Sequence, residues 1–252
     1  MQYRQAGKVN SISFSERYAY LGTELGGLQR FNILSNRFEE SITRAQGLKS
    51  NTIKAVHRAS SGVLWVATPM GIEYSLSEEG DWRFISRDIL QLPFGAVIYR
   101  IGESEQDIWL ETSTLVYRLD PITGVVTGVM SNPDVSVLWS SGLISFQTDL
   151  SSLLFDYSIL DGWLTDFRSL FSPNGKQMKV TTIAKNRMND VWLGTEDGTF
   201  FIGDNTMKTF SPYIFSLANN DIQDIEGKYP FWIGGRLSEY TAGVSYFDSD
   251  RN

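Results

Sequence analysis

Hydrophobic and polar residues along this chain alternate in short runs, and turn signals close each run. The clearest run is Leu64-Trp65-Val66-Ala67-Thr68, which Gly62 precedes and Pro69-Met70-Gly71 follows, leading into Ile72-Glu73-Tyr74. Two β-rich runs separated by three residues that include a glycine predict a β-hairpin. The stretch from Phe38 to Tyr74 is organised around that hairpin, and much of the chain repeats its pattern. No segment shows a sustained 3.6-residue period, so segments 86–93 and 213–219 hold one turn of helix at most.

With the aromatic of the central run as anchor, the copies fall at Tyr20, Trp65, Trp109, Trp192 and Trp232. Their spacings are 45, 44, 83 and 40 residues. The double gap holds a degenerate copy, LISFQTDLSSLLFDYS, with Phe146 at the anchor. Six copies give a mean period of about 42 residues, in the range of four-stranded propeller blades.

Each copy parses into four strands. The innermost are Ile53–His57, Val97–Ile101, Val135–Trp139, Val180–Ala184 and Ile222–Ile225, and the anchor runs come second. A third strand follows the glycine turn, where Gly26, Gly71 and Gly198 supply positive φ. Outer strands carry an aromatic, as in Arg37-Phe38-Glu39, Trp82-Arg83-Phe84, Trp163-Leu164-Thr165 and Lys208-Thr209-Phe210. The sixth copy stops before its outer strand, and Gln2-Tyr3-Arg4-Gln5 reads as the missing one. Residues 1–252 are therefore expected to form a single all-β domain. It is a six-bladed β-propeller of four-stranded blades, closed by the N-terminal strand completing the last blade; closure removes exposed sheet edges.

The residues Gly47-Leu48, Asn51, Ile53, Val56, Gly62, Leu64-Trp65, Thr68 and Gly71 resemble the two-component regulator propeller repeat. The fifth copy repeats the pattern with Val191-Trp192-Leu193-Gly194-Thr195 and Gly198. Such repeats occur in extracytoplasmic sensor regions of hybrid histidine kinases, and similar ones in an accessory propeller of type IX secretion systems. The resemblance implies a propeller, a scaffold for recognition and a periplasmic or extracellular location; it implies no catalytic set.

Composition narrows the chemistry. The chain has no cysteine, which excludes disulfides, thiolate metal sites and cysteine nucleophiles. Its one histidine, His57, excludes polyhistidine zinc sites. A formal charge of −7 argues against nucleic acid, whose backbone selects basic surfaces. No 18-residue apolar run spans a membrane, so membrane association is expected only through a partner. The N-terminal MQYRQAGKVN has no apolar signal core.

Candidate chemistry is sparse. His57 ends an inner strand and can face the central channel, but without a nucleophile pattern beside it the dull reading is a structural imidazole. Ser75-Leu76-Ser77-Glu78-Glu79-Gly80-Asp81-Trp82 resembles a decayed Asp-box turn, and the arginine cluster, acid and tyrosine of a sialidase are not legible. Asp248-Ser249-Asp250 has D-x-D spacing but lacks the glycine and distal glutamate of a calcium loop. No cofactor or metal site and no catalytic residue is read.

Recognition is instead expected on the loops joining outer to inner strands and second to third strands, at 42–50, 86–95, 168–179 and 235–242. These carry Arg44, Lys49, Arg87, Phe94, Arg168, Phe171, Lys176, Lys179, Arg236, Glu239 and Tyr240. Basic residues beside aromatics suit a protein hot spot, or an anionic or glycan ligand; loops are polar in any case. The expected function is a non-catalytic protein-interaction or ligand-sensing module at the cell envelope. The alternatives are a carbohydrate-active propeller and a peripheral structural subunit of a larger membrane complex.

Overall fold

The computed structural model describes residues 7–77, 81–141, 150–166, 169–214, 222–226, 231–235 and 244–247. The chain is all-β, as its alternation predicts. The first repeat forms β1 (Val9–Phe14), β2 (Tyr18–Thr23), β3 (Leu28–Asn32) and β4 (Arg37–Ile42), an antiparallel meander. The second forms β5 (Ala55–Arg58), β6 (Leu64–Thr68), β7 (Gly71–Ser75) and β8 (Arg83–Ser86) in the same order. In the third, β9 (Ile98–Glu103), β10 (Ile108–Thr112), β11 (Val116–Leu119) and β12 (Val126–Met130) are joined by the two-residue β13 (Leu138–Trp139) on the free edge of β9.

The region of the fourth repeat departs from the pattern. It contains a short helix α1 (Leu150–Asp156) and the strands β14 (Ser158–Ile159), β15 (Leu164–Thr165) and β16 (Ser169–Phe171). These attach to the fifth repeat, β17 (Gln177–Lys185), β18 (Val191–Thr195), β19 (Thr199–Asp204) and β20 (Thr209–Ile214). β14 runs parallel to β20, while β16 and β15 extend the sheet beyond β17. Last come β21 (Ile222–Glu226), β22 (Phe231–Gly235) and β23 (Val244–Phe247), a three-stranded sheet. Phe146 and the N-terminal strand expected to complete this sheet lie outside the described residues.

The repeat motif has a local physical basis. Tyr20, Trp65, Trp109 and Trp192 sit on the second strand of their repeats and are fully buried. Trp65 stacks on Tyr74 at 4.4 Å and Trp192 on Phe200 at 5.5 Å. The threonine that ends the anchor run of the first, second, third and fifth repeats folds over the next turn. Thr23 Oγ1 donates to the Gly27 carbonyl at 2.8 Å, Thr112 Oγ1 to Leu115 at 2.7 Å and Thr195 Oγ1 to Thr199 at 2.7 Å. A hydroxyl that bonds to nearby backbone stabilises a turn in this way. In the first repeat the positive φ belongs to Gly27, at 75°, and not to the expected Gly26, whose N–H is bonded to Thr23 Oγ1. At Gly71 φ is 149°, and an added Cβ would lie 2.1 Å from the Ile85 carbonyl oxygen.

Four buried clusters lie between layers. One joins the first and second sheets through Tyr20, Leu28, Ile53 and Leu64. Another joins the second and third through Trp65, Ile72, Ile101 and Leu110. A third joins the first sheet to the fifth repeat through Val9, Ile12, Phe31, Trp192 and Phe200. The fourth covers the other face of the fifth repeat with Leu154, Tyr157, Trp163 and Leu170. α1 thus serves as a lid on that face, and at seven residues it is too short for helical periodicity to reveal.

The layer order corrects two expectations and sets one against a different neighbour. Val135–Trp139 does not form an inner strand of a fourth sheet, because only Leu138–Trp139 is extended and it pairs with β9. Leu164–Thr165 is an edge strand, but of the fifth repeat's sheet and not of a fourth, where it pairs with β16 beyond β17. A six-bladed ring puts the sixth repeat beside the first; in the described residues the fifth lies there. Gly194 explains the fit, since a Cβ on it would come within 2.7 Å of Val9 and of Thr182. Gly22 occupies the same motif position in the first repeat and receives Ile53 of the second at the same 2.7 Å.

Replacing Trp192 with Ala leaves a hole between the first sheet and the fifth repeat. The expected loss of stability in urea unfolding is about 3–5 kcal/mol, the usual cost of a large aromatic truncation in a core; a loss under about 1 kcal/mol contradicts this packing.

Candidate functional site

The inner strands β1, β5, β9 and β17 surround a cleft of about 1520 Å³. The turns that border it follow the inner strands: Ser15–Arg17 after β1, Ala59–Gly62 after β5, and Asn186 with Arg187 after β17. This end of the sheets lies opposite the described loops 42–50 and 86–95, two of those expected to carry recognition.

Charge in the cleft runs against that of the chain. Arg17, Arg58, Arg100, Lys185 and Arg187 line it, against the carboxylates Glu16, Glu103 and Glu111. Among these, Arg17 pairs with Glu39 outside the cleft at 3.7 Å, while Arg100 and Arg187 pair with carboxylates of the cleft. Arg100 Nε and Nη2 donate to the Glu111 carboxylate at 2.5 and 3.0 Å, and its guanidinium lies 4.6 Å from the centre of the Trp139 ring. A bidentate pair and a ring face fix a guanidinium more firmly than either does alone. Arg187 pairs with Glu16 at 3.3 Å, joining the turn after β17 to the turn after β1. Tyr99, 39% exposed, lines the same space as Trp139.

Deeper in, His57 is buried with Nδ1 2.6 Å from Ser140 Oγ, and its Nε2 faces Glu103 at 3.9 Å. The Glu103 carboxylate accepts the Ser60 N–H at 2.8 Å and the Ser60 hydroxyl at 3.0 Å. Burial works against the Glu103 charge, but the facing His57 and the Ser60 hydrogen bonds outweigh it and hold the carboxyl below its ordinary value.

Ser140 and Ser141 then tie the four inner strands together. The Ser140 N–H donates to the Ile101 carbonyl of β9 at 2.9 Å, and its hydroxyl donates to Ser13 Oγ of β1 at 3.2 Å beside the bond to His57 of β5. Ser141 Oγ accepts the Ile12 N–H at 2.6 Å, donates to the Ile12 carbonyl at 2.8 Å, and accepts from Thr182 of β17 at 3.2 Å. Ser11 Oγ donates to the Ser141 carbonyl at 2.5 Å.

The loop residues singled out from sequence lie elsewhere, whereas His57, expected to face the central channel, lines the cleft. Arg44 opens a 3-10 turn, where its N–H donates to Asn51 Oδ1 at 2.8 Å. The Lys49 N–H donates to the Glu73 carboxylate at 2.9 and 3.1 Å. Arg87 donates to the carbonyls of Pro93 and Ala96, pinning the loop whose tip is the fully exposed Phe94. Phe171 is in β16, and Lys176 and Lys179 follow in a hairpin where a loop joining an outer to an inner strand was expected. Lys176 pairs with Asp197 at 3.3 Å. Arg168, Arg236, Glu239 and Tyr240 lie outside the described residues. None of the described loop residues lines the cleft. Tyr99, Arg100, Glu111, Trp139, Ser140 and Ser141 do line it, and none of them holds an anchor position of the repeat.

No family model matches the chain, and no curated protein matches it. Among solved structures it is similar to the extracellular domain of BT4673 of B. thetaiotaomicron, described as a hybrid two component system. The two are 18% identical with a TM-score of 0.41, over 96% of this chain and 28% of that one. It is also similar to the extracellular domain of BT3049 of the same organism, at 17% identity and a TM-score of 0.33, over 97% of this chain and 34% of that one. The chain spans about a third or less of the length of these structures.

Glu73 yields a pH prediction. Its side chain is fully buried, and burial pushes its carboxyl above the ordinary value against the lowering effect of the Lys49 N–H and charge. The folded chain therefore binds this proton more tightly than the unfolded chain does. Its contribution is full below the ordinary carboxylate range and is lost as pH rises through the raised value. Glu73→Gln removes the titration while keeping an acceptor for Lys49. Thermal melts from pH 4 to 8 are expected to show the variant gaining on the parent as pH rises; a gap independent of pH contradicts this.

Proposed function

We propose that this chain is a propeller-type recognition module of the cell envelope, periplasmic or extracellular, which binds a ligand without transforming it. The six sequence repeats and their resemblance to sensor propeller repeats support the architecture. The four repeats that surround the cleft act as its blades. The observation that carries the functional reading is the cleft itself, a basic, aromatic-edged space in a chain of net charge −7. Concave sites that combine aromatic surface with a few fixed polar groups are the usual form of a small-ligand site. Trp139 and Tyr99 supply the surface, Arg100 and Glu111 the fixed donors and acceptors, and the surplus of cations selects an anionic ligand or an acidic glycan.

Phe94 supports a partner protein at the opposite end. It is fully exposed on a loop that Arg87 holds by two backbone carbonyls, so an aromatic anchor is presented with little entropy left to lose. The cleft as sensor and this loop as partner contact together make a module that links a ligand to a protein.

Titration calorimetry with matched neutral and anionic oligosaccharides tests the reading. An anionic ligand is expected to bind better than its neutral match, and Trp139→Ala or Arg100→Ala to weaken it about tenfold or more, ~1.4 kcal/mol per tenfold. Equal binding of neutral and anionic members, or binding indifferent to both substitutions, overturns the assignment of the cleft.

A further inference from the structure

The segment that closes the centre of the molecule is built like a bound ligand. Residues 137–141 enter the space between β1, β5, β9 and β17, with Leu138–Trp139 as a two-residue strand. Trp139 pairs with Gly102 and Leu138 with Glu103, and the Ser140 N–H continues the ladder to Ile101. Gly102 is shaped for this approach. A Cβ there would come within 2.8 Å of the Leu138 carbonyl, of the Trp139 ring and of Val137. The groups that receive the segment belong to strands already in place: the Ser11 and Ser13 hydroxyls and the Ile12 backbone on β1, His57 Nδ1 on β5, and Thr182 on β17.

The segment's own hold is slight by comparison. No residue from 131 to 141 is buried, Leu138 is 70% exposed, and none of these side chains joins a core cluster. β13 has two ladder pairs with β9, while β10 has five. Polar bonds without apolar burial mark the low-stability end of a fold, which opens locally before the core does. The receiving groups cannot stand empty at equal cost, because buried polar atoms need partners. An occupant that replaces the segment must therefore reproduce its bonds.

We propose that this central slot is a receptor for an extended peptide strand, and that Leu138–Ser141 is its resident occupant in the free chain. The partner it fits is a segment of another protein that adds to the edge of β9 by main-chain pairing. It places an aromatic beneath Arg100 and two successive small hydroxyl residues against β1, β5 and β17. Edge addition supplies affinity and the side-chain positions supply selectivity, as in other strand-addition complexes. The proposal goes beyond the ligand reading of the outer cleft and does not need it.

The probe is a labelled synthetic peptide with this chain's own sequence VSVLWSS, read by fluorescence anisotropy against the full chain. Trp139→Gly with Ser140→Pro loosens the resident segment, removing the ring and the Ser140 N–H while leaving the slot intact. The peptide is expected to bind this variant at least tenfold more tightly than the parent, and a peptide with both serines replaced by valine to bind at least tenfold more weakly. Equal binding to variant and parent, or no dependence on the serines, overturns the proposal. Hydrogen exchange on the parent chain gives an independent reading even where the variant does not fold. Amides 138–141 are expected to exchange at least a hundredfold faster than those of β6, and protection equal to β6 makes the segment a permanent part of the core and sinks the idea.

Discussion

Close approach between neighbouring sheets is the constraint on which the structure depends. Each sheet has two faces to cover, and the first and fifth repeats meet this by receiving the start of another repeat on their second strand. That contact needs a residue without a side chain. Gly22 receives Ile53, Gly194 receives Val9, and in each case a Cβ would stand 2.7 Å from its neighbour. The apolar clusters on either side of the first sheet follow from these two approaches, with Tyr20 in one and Trp192 in the other. Hydrogen bonds run along the same seams, from the Ile53 N–H to the Thr23 carbonyl at 2.7 Å and from Thr181 Oγ1 to the Val9 carbonyl at 2.5 Å.

Because the fifth repeat lies against the first, the middle of the molecule differs from an open channel. Four inner strands leave backbone edges and hydroxyls facing inward, and Ser140 and Ser141 satisfy them. The neighbouring Trp139 stays at the wall of the cleft, beside an arginine locked to Glu111. One short segment thus seals the centre and shapes the site, which places the chemistry on inner strands and the turns after them.

Much of the fold was legible in the sequence because it rests on local rules. The anchor aromatics, the threonine that folds over each turn and the glycine at Gly71 recur at fixed spacing, and each acts within one sheet. Gly26 and Gly27 offer the same conformational freedom in sequence, and only the hydrogen bond to Thr23 separates them. The fourth region was misread for a different reason. Val135–Trp139 has the apolar pattern of an inner strand, but Gly102 opens the edge of β9 to it, a pairing between residues far apart in sequence. The cleft was not legible for the same cause: Arg100, Glu111 and Trp139 meet only after three strands have paired, and loop composition drew attention to the other end.

In the described residues the fifth repeat closes directly on the first. Glu16 and Arg187 test it, as exposed side chains from turns of those two repeats that pair at 3.3 Å. The natural chain has no cysteine, so Glu16→Cys with Arg187→Cys introduces the only two thiols. Treated with a short bis-maleimide, the dilute folded protein is predicted to form an intramolecular cross-link in nearly every molecule, seen as a single mass increment with no free thiol. A folded protein that takes up two separate maleimides and forms no cross-link contradicts it and places another sheet between them.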